Sequence, residues 1–241
     1  MTPPEDEQFH TTHWSIVLTA KDDDASAADE ALGELCRTYW KPLYAFLRRS
    51  GQSQHDAQDL TQAFFAKLID KKYLRSVTQS KGRFRSFLLV ALKHFVANQR
   101  DHDRAAKRGG EFRQLPFDYA DAERWFAANK SSRSPDQEFE YDWAITVLDN
   151  ALFRVRERFS AARKVAEFEQ LKPFLIAHDA QPSYRELGEQ LGLGESSARS
   201  AVHRIRKRYR EAIREQVAET VDSREDIEDE MHELMEILKR N

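Results

Sequence analysis

The sequence predicts an all-α protein, and three observations carry that prediction. Eight glycines and seven prolines in 241 residues are too few for the turns of a β-sandwich or barrel. Apolar residues recur at three- and four-residue spacings along most of the chain, which is the period of an amphipathic helix. A hydrophobic content of 40% is enough to build a core, although 33% of the residues are charged.

Two small helical domains joined by a linker are expected from the length and from these spacings. The expected parts are an acidic N-terminal extension at 1–30, a helical bundle at 31–110, a linker at 111–142, a second helical domain at 143–214 and an acidic C-terminal helical extension at 215–241.

Three amphipathic segments make up the first bundle. The first runs from Leu32 to Leu47, and Pro42 is expected to kink or divide it. The second is HDAQDLTQAFFAKLID. The third, GRFRSFLLVALKHFVANQRDHDRAAKRGG, begins apolar, turns polar and basic, and ends at two glycines.

The segment PSYRELGEQLGLGESSARSAVHRIRKRYREAI predicts a helix-turn-helix. Ser183 and Glu186 form a capping box that starts a short helix, and Gly192 is placed to end it in the left-handed conformation. Leu193 is then expected to point back into the core. The second helix carries cations away from its apolar stripe, as a DNA recognition helix requires. Its candidate DNA contacts are Ser197, Arg199, Ser200, His203, Arg204, Arg206, Lys207 and Arg210, with Arg199 and His203 favoured for bases.

The net charge of -3 hides a strong segregation of charge along the chain. Residues 1–30 and 215–241 each carry -7, whereas residues 71–113 carry +9 and residues 199–210 carry +6. Two basic blocks can steer a polyanion to two separate sites even when the total charge is negative. The alternative is that each charged run is a solvated helix face.

Phenylalanines alternate with cations in the first basic block. Phe84, Phe87 and Phe95 lie among lysines and arginines, and this mixture suits the capture of single-stranded nucleic acid. The helical spacing of the same three residues favours ordinary core packing instead, so both interpretations stay open.

The linker and the C-terminal extension have features of their own. Periodicity lapses from 111 to 142, but the aromatics of FRQLPFDYADAERWF indicate that part of the linker docks on something. The C-terminal extension has a narrow apolar seam, which should pack on its own protein or on a partner. It is also a candidate cover for the basic recognition helix. The seam comprises Ile227, Met231, Leu234 and Leu238.

Several classes of protein are not supported by the sequence. The single Cys36 excludes an intramolecular disulfide and fits a reducing compartment, and no apolar run is long enough to cross a membrane. We therefore expect a cytoplasmic protein without a membrane partner. The chain has no phosphate loop or nucleophile motif, and its histidines lack convincing ligand spacing, so we expect no catalytic residues, no metal and no cofactor.

The chain resembles the bacterial RNA polymerase sigma factors of the extracytoplasmic-function class. The resemblance covers about residues 30–110 and 140–215. It rests on YWKPLYAFLRRSGQSQHDAQDLTQAFFAKLI, on GRFRSFLLVALKHFVANQ and on the helix-turn-helix. It implies two helical domains, core RNA polymerase and promoter DNA as partners, and promoter recognition without covalent chemistry.

The resemblance also implies roles for particular residues. The family pattern near D-A-E-D-L-V-Q-E-T-F falls on residues 56–65, which are implied to dock on the clamp of the polymerase's largest subunit. The stretch after Gly82 is implied to melt and read the -10 element, and the helix-turn-helix to read the -35 element. The implied docking residues are Asp56, Gln58, Asp59 and Gln62. The implied -10 residues are Lys81, Arg83, Phe84, Arg85, Phe87, Lys93, His94 and Asn98, with Arg104, Lys107 and Arg108 as a phosphate clamp.

A departure from the family pattern suggests a switch at Thr61. Gln58 and Ala63 stand where relatives often have Glu, so docking to a basic clamp should be weaker. Phosphorylation of Thr61 would add about -1.5 to -2 charge. The hypothesis therefore names a serine/threonine kinase as a partner, and an anti-sigma factor is left open. The alternative is that Thr61 replaces an exposed valine and that Asp56 and Asp59 set the affinity.

Two other functions remain open at this stage. One is a helix-turn-helix regulator whose first domain senses a ligand or a partner protein and does not bind polymerase. The other is a helical adaptor whose basic blocks only aid solubility.

Overall fold

The computed structural model describes residues 25–69, 84–103, 117–128, 133–176, 181–221 and 225–240. Every regular element within these ranges is helical, which confirms the all-α fold. The helices of the described ranges are α1 (Ala25–Arg49), α2 (Gln54–Ile69), α3 (Phe84–Asp103), α4 (Tyr119–Ala128), α5 (Pro135–Ala161), α6 (Val165–Leu171), α7 (Tyr184–Leu191), α8 (Glu195–Ala218) and α9 (Glu225–Lys239), with a 3-10 turn at Lys172–Phe174.

The chain divides into two compact units. Unit 1 comprises the chain up to Thr146 together with the chain from Ala218 onward, and unit 2 comprises Val147–Val217. Helix α5 therefore contributes its first part to unit 1 and the rest to unit 2. The C-terminal helix α9 belongs to unit 1.

Helix α1 runs through Pro42 without a break, so Pro42 does not divide this helix, and the kink stays a prediction. A proline inside a helix removes one hydrogen bond and costs about 3 kcal/mol. Tyr39, Leu43 and Leu47, which flank Pro42 along α1, are fully buried or nearly so. Burial of these large side chains outweighs the local cost.

The core of unit 1 is centred on Trp143 of α5. Its indole Nε1 donates a 3.0 Å hydrogen bond to the Tyr39 hydroxyl, and the Tyr39 ring meets Phe84 edge to face at 5.1 Å between centroids. All three side chains are fully buried. Burial raises the pKa of Tyr39, so its phenol stays protonated at neutral pH. Phe84 and Phe95 thus pack as core residues, as their spacing favoured.

The aromatic part of the linker docks on α1, which confirms that it packs on something. Phe117 stacks on Trp40 with 4.7 Å between ring centroids. Glu123 of α4 accepts a 2.6 Å hydrogen bond from Nε of Arg48, and Lys41 pairs with Asp121. Helix α4 is therefore held on unit 1 by both stacking and charge.

A buried contact between an arginine and a carboxyl group joins α1 to the first part of α5. Arg49 donates to Oδ2 of Asp142, whose side chain is fully buried, and Oδ1 of Asp142 is buried without a hydrogen-bond partner among the described residues. Burial raises the pKa of Asp142 to about 7, against the opposing effect of Arg49. Glu138 lies beside it, adds to the rise, and is itself paired with Arg133.

This pair predicts a pH dependence of stability. Between about pH 4 and pH 7, Asp142 keeps its proton in the folded chain and loses it in the unfolded chain, so the free energy of unfolding falls as the pH rises. Asp142→Asn cannot ionise and should remove that contribution, which is at most about 1.4 kcal/mol per pH unit. Denaturant titrations across this pH range measure the slope. Equal slopes for wild type and Asp142→Asn would contradict the assignment.

Unit 2 is built around the remainder of α5 and around α8. Phe159 of α5 packs on Phe168 of α6 at 5.7 Å between ring centroids. The hydroxyl of Tyr209 on α8 donates a 3.1 Å hydrogen bond to the carbonyl of Leu148. These contacts fix α8 along its apolar stripe and leave its basic side chains on the other face.

Candidate nucleic-acid interface

The turn between α7 and α8 has the predicted capping geometry. The amide of Glu186 donates to the Ser183 hydroxyl at 3.2 Å, and the amide of Ser183 donates back to the Glu186 carboxylate at 2.7 Å. The Ser183 amide and the Ser183 hydroxyl both donate to this carboxylate and lower the pKa of Glu186. Gly192 ends α7 in the left-handed region with φ of 67°, which glycine adopts without strain. The capping box and the glycine end of this helix are confirmed.

Leu193 departs from the prediction for this turn. Its amide donates a 2.8 Å hydrogen bond to the carbonyl of Gly188, but its side chain is 44% exposed. The expectation that Leu193 points into the core is wrong. Gly192 reverses the chain in the left-handed conformation, and the Leu193 amide is hydrogen-bonded. The turn therefore does not need the Leu193 side chain to pack in the core.

The candidate contacts on α8 lie on its exposed face. Arg199 is held in place, because its guanidinium pairs with Glu195 at 2.7 Å and lies 4.8 Å over the Tyr184 ring. Arg206 differs from the rest, since its Nε donates a 3.0 Å hydrogen bond to the carbonyl of Phe174. The exposed candidates on this helix are Ser197, Arg199, Ser200, His203, Arg204, Arg206, Lys207 and Arg210.

Sequence reasoning misses the support of Arg199 by Tyr184. The Tyr184 ring stacks on Phe174 at 5.6 Å between centroids and also contacts the Arg199 guanidinium. A stacked guanidinium keeps its donors available in a fixed plane, which suits bidentate recognition. The missed signal is an aromatic residue at the first position of α7.

The candidate -10 contacts divide into an exposed and a buried set. Lys93, His94 and Asn98 are exposed on α3, Phe87 is half-buried, and Phe84 is fully buried. Lys93 pairs with Asp136 of α5. Sequence reasoning also misses Val90, an apolar side chain that is 52% exposed on the same face. Lys81, Arg83, Arg104, Lys107 and Arg108 lie outside the described residues.

Arg85 is buried inside unit 1 and is only 1% exposed. Its Nε donates to Glu230 at 2.8 Å, its Nη2 lies 2.9 Å from Glu233, and Nη1 pairs with Glu140. Its guanidinium also lies 4.3 Å from the centre of the Trp143 ring. A DNA strand therefore reaches Arg85 only after these groups have moved.

Helix α2 exposes part of the candidate docking face. Asp56 and Asp59 are exposed, whereas Gln58 and Gln62 are half-buried. The Tyr119 hydroxyl of α4 lies 3.4 Å from the carbonyl oxygen of Gln58 and hydrogen-bonds the Gln62 side chain. Helix α4, which belongs to the linker, thus lies at the edge of the exposed face that carries Asp56 and Asp59.

Thr61 lies on the inner side of α2 and is 1% exposed. Its hydroxyl donates a 2.7 Å hydrogen bond to the carbonyl of Ala57. The idea that Thr61 replaces an exposed residue is therefore wrong. A β-branched side chain at this position fills the core between α2 and its neighbours.

Membrane-spanning helices and clusters of metal ligands are both missing from the residues that the structure describes. None of the helices in those ranges combines the length and the apolar content that a membrane crossing needs. In the same ranges, no three histidine, cysteine, aspartate or glutamate side chains come together as a metal site would require.

The chain was compared with known proteins. No protein-family model matches it, and no solved structure shows significant similarity to it. It is similar to the ECF RNA polymerase sigma factor SigE of Mycolicibacterium smegmatis, with 28% identity over 212 residues that cover 83% of this chain and 71% of that protein. This similarity supports a relation to the ECF sigma factors.

The turn geometry predicts that Gly188→Ala destabilises the chain. An added Cβ would lie 2.7 Å from the backbone oxygen of Leu193, and such overpacking costs about 1–3 kcal/mol. That cost exceeds the gain of about 1 kcal/mol that alanine has over glycine inside a helix. Thermal unfolding measures the difference. Gly33→Ala, where nothing lies within 4 Å of the new Cβ, is the matched control and should keep or raise the melting temperature; equal effects at both glycines would contradict the close approach.

Proposed function

We propose that this protein is an ECF-type sigma factor that binds core RNA polymerase and directs promoter recognition and opening. The observation that carries the proposal is the similarity to an ECF sigma factor over 83% of the chain. The exposed cations of α8 in unit 2 support it, together with the exposed polar side chains Lys93, His94 and Asn98 of α3 in unit 1. A protein that opens a promoter needs two such contacts, one to duplex and one to single-stranded DNA.

In this proposal α8 reads the -35 element in the major groove. Arg199 and His203 lie nearest the helix N-terminus and contact bases, while Arg204, Lys207 and Arg210 contact phosphates. Arg206 takes a positioning role, because it is bonded to the carbonyl of Phe174.

Polymerase docking in this proposal uses the open face of α2. Asp56 and Asp59 supply the exposed carboxylates for a basic clamp surface on the largest subunit. The side chains of Gln58 and Gln62 contribute at the border with α4, where Tyr119 lies.

Activation by phosphorylation at Thr61 gains no support from the contacts of this residue. A kinase reaches the Thr61 hydroxyl only after local opening of α2, because the side chain is buried and bonded to Ala57. A phosphate would also have to leave the core, since a buried charge without a partner is costly. The hypothesis therefore requires a partly unfolded α2, and equal polymerase affinity of the wild-type, Thr61→Ala and phosphorylated chains would exclude it.

The competing function is a helix-turn-helix regulator that does not bind core polymerase. It is favoured by the ordered α7–α8 turn taken alone, because that geometry serves repressors and activators equally well. It leaves the exposed polar side chains of α3 without a role.

Transcription with purified core polymerase tests the proposal. The chain is mixed with core enzyme and fragmented genomic DNA from the source organism, and the 5′ ends of the transcripts are sequenced. A sigma factor should give discrete starts that share two upstream sequence elements at a fixed separation. Salt-dependent duplex binding without core binding or transcripts would favour the regulator, and the absence of both activities would favour the adaptor.

Matched variants of unit 2 make this test specific. Lys207→Ala removes an exposed cation of α8 and should lower duplex affinity and reduce the salt slope by about one. Arg156→Ala removes a half-exposed cation from α5 and should leave both unchanged. Equal losses in the two variants would mean that α8 is not the duplex-binding helix.

A further inference from the structure

The acids that surround Arg85 come from outside the helix that carries it. Glu140 lies on α5, and Glu230 and Glu233 lie on α9, 145 residues further along the chain in the case of Glu230. Lys93, two turns along α3, pairs with Asp136 of α5 in the same way. We call the carboxylates of Asp136, Glu140, Glu230 and Glu233 the acidic clasp.

The acidic clasp binds the same chemical groups that a DNA strand would bind. A guanidinium that receives carboxylate oxygens at its Nε and Nη2 atoms offers these donors equally to phosphate oxygens. Trp143 adds a flat ring under the guanidinium, 4.3 Å away. Arg85 and Lys93 are two of the cations expected to hold the opened strand, and the clasp occupies both.

Helix α9 packs on unit 1 through buried apolar side chains and through its carboxylates. Ile227 and Leu234 are the strongly buried apolar residues of its described part, whereas Met231 is only half-buried. A helix of 15 residues is marginal when isolated, so α9 depends on these contacts and on the bonds from Arg85 to remain folded. Loss of the Arg85 contacts would release much of its attachment.

We propose that α9 is an internal competitor of single-stranded DNA: its carboxylates hold Arg85 in the free protein and give it up when a strand binds at α3. This inference rests on the proposed function and adds regulation of the same site. The acidic C-terminal extension then lowers the affinity of α3 for single-stranded DNA until the promoter has been opened. When the strand binds, Arg85 exchanges its bonds to carboxylate oxygens for bonds to phosphate oxygens.

The test compares two double variants of the full-length chain. Glu230→Gln with Glu233→Gln removes two charges from the clasp. Asp229→Asn with Glu236→Gln removes the same number of charges from positions of the same helix outside the clasp, where Glu236 pairs with Lys239. Fluorescence anisotropy with a random-sequence single-stranded oligonucleotide of about 16 nucleotides gives the affinity of each.

The clasp variant should bind the oligonucleotide about tenfold more tightly than wild type, and its affinity should fall more steeply with salt because Arg85 contributes a phosphate contact. The control variant should gain about twofold at most, from net charge alone. Equal gains in the two variants, or none in either, would overturn the proposal.

Because Glu230 is fully buried, circular dichroism must show that the clasp variant is folded. If it is not, Glu233→Gln against Asp229→Asn repeats the comparison at a side chain that is 38% exposed, with an expected gain of about threefold. Transcription by the wild-type chain shows whether a negative result defeats this inference alone or the proposed function as well. Transcription with equal affinities of the variants would defeat this inference alone, whereas no transcription with core polymerase would defeat the proposed function.

Discussion

The burial of Arg85 is the constraint on which much of unit 1 depends. A buried guanidinium is tolerated only when its donors are paired, since an unpaired charge in the core costs several kcal/mol. Arg85 meets this requirement through α5 and α9, and Trp143 covers its face. Because Arg85 is the second residue of α3, these bonds fasten the start of that helix to parts of the chain far away in sequence. Phe84, just before it, completes the core against Tyr39.

The same constraint links the charge pattern to function. The chain places +9 on residues 71–113 and -7 on residues 215–241. Within unit 1 some of these opposite charges pair with each other, because Arg85 and Lys93 are bound by carboxylates of α5 and α9. His94 and Asn98 remain exposed on α3. The net charge of -3 thus includes cations that are neutralised by contact as well as cations that face solvent.

Features with a local cause could be predicted from the sequence, and features with a distant cause could not. The capping box at Ser183 depends on residues three positions apart, and the glycine end of α7 depends on one backbone angle. Arg85 was expected at the DNA because its neighbours are basic, but its contacts lie as far as 145 residues away. Thr61 lies three and four residues before the buried Phe64 and Phe65, so helical spacing already places it on the inner face of α2, and only its hydroxyl suggested exposure. Pro42 failed as a helix breaker because tertiary packing exceeded a local cost.

Hydrogen exchange of the intact chain tests the central claim, that α9 gives up Arg85 when a strand binds. Amide exchange of residues 225–239 would be followed by mass spectrometry with core polymerase present, before and after addition of a premelted promoter. The account predicts that promoter DNA speeds exchange in α9 while α8 stays protected. Unchanged or increased protection of α9 in the promoter complex would contradict it.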